Sequence, residues 1–186
     1  MPKEIYIPCL LQLFRRYGYD GATLSRISEA TGLGKASLYH HFPGGKEEMV
    51  ATVLQSVEQW RLENIVPALE GEGDAITRLR RMCDRFSELY EQGEQPCLSA
   101  ILLMGSARDV FHDQIQAVFS AWLTAISDLL VAEGVEETLA RQKAEDVAIA
   151  IQGSLILAQA LDQPAIFQRV LQELPERLIS EGPRSL

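Results

Sequence analysis

Residues 23–42 read TLSRISEATGLGKASLYHHF, two helical periods separated by a tight turn. Thr23 stands where a helix N-cap accepts a backbone N–H. Leu24, Ile27 and Ala30 then recur along one side, at the three-to-four-residue spacing of a helical face. Gly32 suits the left-handed residue that closes a helix. KASLYHHF follows with Leu38 and Phe42 one turn apart, and PGG breaks the chain after it. Two short helices joined by a glycine turn are the layout of a helix-turn-helix.

That layout makes three demands. Apolar groups must lock the two helices to each other and to a helix before them, and Leu24, Ile27, Leu33, Leu38 and Phe42 can do so with Leu13 and Phe14 of LLQLFRRYG. Small residues must let the backbone approach base edges, for which Gly34, Ala36 and Ser37 qualify. Polar and cationic groups must meet phosphates, for which Thr23, Ser25, Arg26, Lys35, Tyr39, His40 and Lys46 qualify. The same geometry also occurs in packed helical proteins that never meet DNA. A histidine pair at a helix end is ordinarily a solvated end. The pattern alone leaves both readings open.

Charge separates the two ends of the chain. The net charge is −9 over 186 residues, yet residues 1–46 hold six bases and three acids and so carry +3. The remainder therefore carries −12. A basic head on an acidic body turns one end of the molecule towards phosphate and keeps the rest away.

Outside the motif, helical periodicity dominates and no stretch alternates at strand spacing. The first helix is expected to stop near Gly18, with Pro8 limiting its start unless that proline occupies the first turn. A long helix is expected from Lys46 to Ile65, ended by Pro67. Asp74 can cap a helix carrying Ile76, Leu79, Met82, Phe86 and Leu89 inward. Further helices carry Ile115, Val118, Phe119, Trp122, Ile126 and Leu129, then Ala144, Val147, Ala148, Ile151, Gly153, Leu155 and Ala158. Pro164 opens a last helix, kinked or ended at Pro175. The expected fold is all-α, about nine helices: an N-terminal three-helix domain over 1–46 and a helical domain over 47–186.

Several function classes recede. No GxSxG, HExxH, P-loop or dinucleotide glycine fingerprint occurs, so an enzyme is not expected. Cys9, Cys83 and Cys97 are far apart and form no CxxC pair, and three histidines build no cluster, so neither metal nor cofactor is expected. No run is expected to span a membrane, and the N-terminal apolar stretch lacks a small-residue cleavage site, so a cytoplasmic protein without a membrane partner is expected. A helical carrier that buries an apolar ligand without touching DNA stays open, though it needs no basic head.

At one point a resemblance becomes specific. FRRYGYDGATLSRISEATGLGKASLYHHFPGGKEEM resembles the signature of the TetR/AcrR regulator family over about residues 10–50, matching FxxxGYxxxTLxxIxxATGLxKxxLYHHF in order and spacing. The resemblance implies a homodimer that lays each third helix in successive major grooves of a roughly palindromic operator. It also implies that Lys35, Ala36, Ser37 and Tyr39 meet bases or adjacent backbone. Thr23, Ser25, His40, His41 and Lys46 would meet phosphates, with Arg26 among the flanking cations. The chain departs from the usual pattern twice. Gly44-Gly45 supply two residues before Lys46 where most members have one, a variant similar to the LmrA/YxaF-like branch. Gly34 replaces the usual Ser or Thr cap of the third helix.

The body resembles the family only loosely. PCLSAILLMG and AIAIQGSLILAQALDQPAIFQRVLQEL are similar to the C-terminal pattern of AcrR-like members, which implies a four-helix dimer interface. Ala148, Gly153, Ala158 and Ala160 would let helices approach, and Ile151, Leu155, Val170, Leu171 and Leu174 would supply apolar area. The competing reading of these residues is intramolecular core. A pocket for a small apolar or planar aromatic effector is expected among Trp60, Met82, Phe86, Leu102, Phe119, Trp122, Ile126, Gln152 and Leu155, with Gln152 orienting the ligand. Aromatics and Met at helical spacing are also ordinary core. Some relatives sense oxidants or electrophiles through one cysteine; Cys97 would be the candidate, but no Lys, Arg or His adjoins it to activate a thiolate. On this reading the protein is an effector-released repressor.

Overall fold

In the computed structural model, which describes residues 3–180, nine α-helices and no strand occur among the described residues. They are α1 Ile7–Gly21, α2 Leu24–Thr31, α3 Lys35–His41, α4 Gly45–Glu70, α5 Ala75–Leu89, α6 Leu98–Leu103, α7 Arg108–Ala132, α8 Glu137–Ala160 and α9 Pro164–Ser180. The all-α expectation holds. The chain forms two compact units, one of residues 1–59 and 97–115, the other of 60–96 and 116–186.

The first unit closes around a small set of side chains. Leu10 and Phe14 of α1, Ile27 of α2, Leu38 of α3 and Phe42 are essentially fully buried, joined by Met49, Val50 and Val53 of α4. Each such side chain contributes about 1.5–3 kcal/mol through the water it sheds. Leu10 and Phe14 lie one turn apart on α1, as do Leu38 of α3 and Phe42 at its C-cap, so even a two-turn helix presents an inward stripe. Pro8 sits in the first turn of α1, where its missing N–H costs nothing. Gly18, at φ 63°, interrupts α1 as expected, and one further turn follows it. There α6 packs back on α1, so that a Cβ at Gly18 would lie 3.4 Å from Ile101.

The second unit packs α9 against α8 and α5. Leu79, Met82 and Phe86 of α5, Ile126 and Leu130 of α7, Val147, Ile151, Leu155 and Ala158 of α8, and Phe167 of α9 fill its core. Asp74 caps α5 as expected, accepting the Thr77 N–H at 2.9 Å.

Three local expectations need correcting. Pro67 does not end α4, which runs on to Glu70. A proline in the final turn removes one donor only, and Gly71 closes that turn by donating to the Pro67 carbonyl at 2.9 Å. Pro175 likewise lies inside α9. Finally, α7 is long and apolar enough to cross a membrane by length and composition, with a mean hydropathy of 1.6 over its best window. Its pattern is nonetheless two-faced: Ile115, Trp122, Ile126 and Leu129 are buried, while Gln116, Ser120, Thr124 and Asp128 are exposed. That is the pattern of a helix resting on a protein core.

Candidate nucleic-acid interface

The α2–turn–α3 segment is held by backbone conformation and hydroxyl groups. Thr23 has extended φ/ψ, and its hydroxyl accepts the Arg26 N–H at 3.4 Å. Gly32 takes φ 70°, the left-handed conformation that reverses the chain after α2. Ser28 donates to the Leu33 carbonyl and Thr31 donates to the Ile27 carbonyl at 2.7 Å, while the Leu33 N–H donates back to Thr31 at 3.3 Å. These two hydroxyls went unnoticed in the sequence because serine and threonine inside a short helix carry no distinctive spacing. Gly34 begins α3 with no side-chain cap, as the sequence departure implied.

With Leu38 turned inward, the rest of α3 faces out. Lys35, Ala36, Ser37, Tyr39 and His40 are exposed, as are Thr23, Ser25 and Arg26 of the preceding helix start. His41 is half-buried, its ring 5.3 Å from that of Tyr6. The small residues and the flanking polar groups are therefore exposed at α3 and at the start of α2. Arg26 is also tied back, donating from Nη1 to the Gly21 carbonyl at 2.7 Å.

Lys46 is placed differently from a freely projecting cation. Gly45 opens α4 at φ 64°, where a Cβ would stand 3.6 Å from Tyr39 Cε1, and Gly44 donates its N–H to Glu48 at 2.9 Å. The extra glycine thus folds into the α4 start. Lys46 then donates to the Tyr19 carbonyl at 2.8 Å and lies 4.1 Å from that ring's centroid. Glu48 is held below the usual carboxylate range by the Gly44 N–H first and then by Lys3, 3.2 Å away.

One contact ties the end of α1 to the segment before α7. Asp20 accepts from the Ser106 hydroxyl and from the Ser106 N–H, the latter at 3.2 Å. These bonds hold its carboxyl below the ordinary aspartate value. A Cβ at Gly105 would stand 2.9 Å from the Asp20 Oδ2.

In the second unit an aromatic cluster forms. Phe86 lies 4.8 Å and Phe119 6.1 Å from Trp122, centroid to centroid, and the Arg61 guanidinium lies 5.7 Å from the Trp122 ring centroid. Gln152 reaches Tyr90 Oη at 3.5 Å. Among the described residues the buried Trp122 Nε1 has no hydrogen-bond partner. Met82, Ile126 and Leu155 are buried in the core of this unit and Trp60 is half-buried. Leu102 belongs elsewhere: α6 folds onto α1, which places it, fully buried, in the first unit. Cys97 is buried, and Cys83 is pushed up to about 12 chiefly by burial, the opposite of thiolate activation.

The expected interface residues divide in two. Ile151, Leu155, Ala158, Leu171 and Leu174 are buried against the chain's own helices, so they cannot offer apolar area to a second protomer. They alternate with a surface the sequence reading passed over: Ile149, Ile156, Leu157 and Leu161 are 53–69 % exposed. Ala148, Gly153 and Val170 are half-buried, and a Cβ at Gly153 would meet nothing within 4 Å. Periodicity finds an apolar face but cannot say which of two faces is covered by the chain itself.

Comparison with known proteins fits this architecture. Residues 10–53 match the family of bacterial regulatory proteins of the tetR type, and residues 75–173 match the C-terminal domain of LmrA/YxaF-like transcriptional regulators. The chain is 22 % identical over 160 residues to the HTH-type transcriptional regulator LmrA of Bacillus subtilis, covering 84 % of this chain and 85 % of that protein. A TetR-family regulator from Agrobacterium tumefaciens superposes with a TM-score of 0.78 at 22 % identity, over 94 % of this chain and 98 % of the other. The TetR-family regulator CifR, solved with a 26-bp double-strand operator DNA, superposes with a TM-score of 0.77 at 19 % identity, over 96 % of each chain.

Proposed function

This chain belongs to the TetR family of bacterial regulatory proteins, in the branch with an LmrA/YxaF-like C-terminal domain, and on that premise we propose that it is an operator-bound repressor released by a small molecule. It is a DNA-binding transcriptional regulator and not an enzyme. The observation that carries the finer reading is the two-sidedness of α3. Leu38 anchors it inward while Lys35, Ala36, Ser37, Tyr39 and His40 stand outward, small residues flanked by cations and hydrogen-bonding groups. Residues 1–46 act as the DNA-reading part and 47–186 as the sensing and assembling part. The protein works in the cytoplasm, where its DNA lies.

The operator is a palindrome because the protein is a homodimer. The exposed stripe of Ile149, Ile156 and Leu157 on α8, continued by Leu161 just past its end, with open space at Gly153, supports a helix-on-helix interface between two copies. The effector is apolar or aromatic and carries a hydrogen-bond acceptor. The cluster of Phe86, Phe119 and Trp122 supports the first property, and the buried, unpartnered Trp122 Nε1 the second. α4 and α7 each hold residues of both compact units, which supports a coupling between effector and DNA. A coupling of about 1–3 kcal/mol would change operator affinity about 5- to 150-fold.

Selection of bound duplexes from a random library, followed by titration at two salt concentrations, tests this reading. A palindromic consensus bound by wild type and lost in Tyr39→Ala, with the variant still folded, is expected. Absence of any enriched duplex at low salt would remove the DNA reading and leave a helical carrier.

A further inference from the structure

Beside the motif, two guanidinium groups converge on one exposed ring. Tyr17, near the end of α1, is 36 % exposed. The Arg26 Cζ lies 4.3 Å from its ring centroid and the Arg16 Cζ 5.3 Å. The Arg26 guanidinium is fixed further by its bond to the Gly21 carbonyl. Among the described residues neither arginine forms an ion pair with a carboxylate, and Asp20 of the same helix end is engaged by Ser106. Both guanidinium groups therefore belong to one exposed cationic site at the Tyr17 ring, and an anion bound there offsets their mutual repulsion. A guanidinium stacked on an aromatic face keeps its edge N–H groups free for a planar, multidentate acceptor.

We propose that Arg16 and Tyr17 form, with Arg26, a phosphate anchor on duplex DNA that lies outside the helix-turn-helix itself. Arg16 binds the phosphodiester backbone directly. Tyr17 is a positioning residue whose ring holds both guanidinium groups in place. The ligand is the sugar–phosphate backbone of DNA and not a base edge, because Arg16 sits on α1, outside the helix that presents small residues to the groove. The anchor therefore adds affinity that is independent of sequence and sensitive to salt. This inference rests on the DNA-binding reading above.

The test uses the full chain with a mixed-sequence duplex of about 25 bp as probe, long enough for about two turns of groove. Wild type, Arg16→Gln, Tyr17→Leu and Tyr17→Phe are titrated across a salt series. Arg16→Gln is expected to flatten the slope of log affinity against log salt by about 0.9 and to weaken binding about fivefold near 0.15 M salt, the signature of one lost phosphate contact. Tyr17→Leu is expected to weaken binding in the same direction, and Tyr17→Phe, which keeps the ring, to match wild type. If wild type fails to bind the duplex at any salt, the DNA reading itself falls. If wild type binds and Arg16→Gln keeps both its slope and its affinity, the anchor is overturned. Full affinity in Tyr17→Leu would remove the positioning role of the ring. Unchanged thermal unfolding of each variant shows that the fold is not what moved.

Discussion

α3 and α8 are both two-sided helices, but they show their sides in different ways. In seven residues α3 has room for one inward anchor, Leu38, and everything else on it is small, polar or charged. In twenty-four residues α8 carries two apolar stripes, one buried through Val147, Ile151, Leu155 and Ala158, the other exposed through Ile149, Ile156 and Leu157. An outward face meant for phosphates and bases announces itself by polarity. The outward face proposed to meet a second copy of the chain is made of the same residues as a core, and hydrophobicity alone does not separate the two.

The largest expected effect breaks the first half of this comparison. Phe42→Ala, at a fully buried position beside α3, is expected to cost about 3–5 kcal/mol of stability, read by urea unfolding. A loss below about 1 kcal/mol would mean that the small core of the first unit is not what sets α3. The second half breaks on α8. Replacing Ile156 and Leu157 together by Glu is expected to raise the dimer dissociation constant by more than about tenfold, equal to 1.4 kcal/mol, in sedimentation. The second unit should keep its helical signal, because neither side chain supports the chain's own core.

A smaller effect concerns the tie between Asp20 and Ser106. The folded-state pKa of Asp20 is depressed, so its contribution is present above the unfolded value and lost as pH falls through the lower folded value. Wild type is expected to lose part of its stability below about pH 4, the ordinary aspartate range. Gly105→Ala crowds the Asp20 carboxylate and should show a smaller loss over the same window in a pH series of thermal melts. Equal losses would show that the tie contributes nothing. The smallest effect is at the missing cap: Gly34→Ser has open space around the new side chain and is expected to add only a few tenths of a kcal/mol, about the difference between serine and glycine caps.

Much of the proposed DNA-reading region is legible in the sequence because its signals are local. Thr23 as cap, Gly32 in the left-handed conformation, Leu38 and Phe42 inward, and the bare Gly34 cap all depend on neighbours within a turn or two. What stayed hidden depends on distant contacts. Leu102 lies in the other unit because α6 folds onto α1, and Ile151 and Leu155 of α8 are core because α9, with Leu174, covers that stripe. The resemblance points Lys46 at phosphate, but only the fold shows that a carbonyl 27 residues away accepts its ammonium. Pro67 reads as a stop and Pro175 as a kink or an end, but a proline near a helix end leaves the chain free to continue.

The most direct test of the central claim, that the exposed face of α3 reads DNA from a two-fold dimer built on α8, is a hydroxyl-radical footprint on the selected duplex. The account predicts two protected half-sites related by a dyad and spaced by about 10 bp or a multiple of it, both lost in Tyr39→Ala. A single protected stretch without two-fold symmetry, or a footprint unchanged by that substitution, would contradict it.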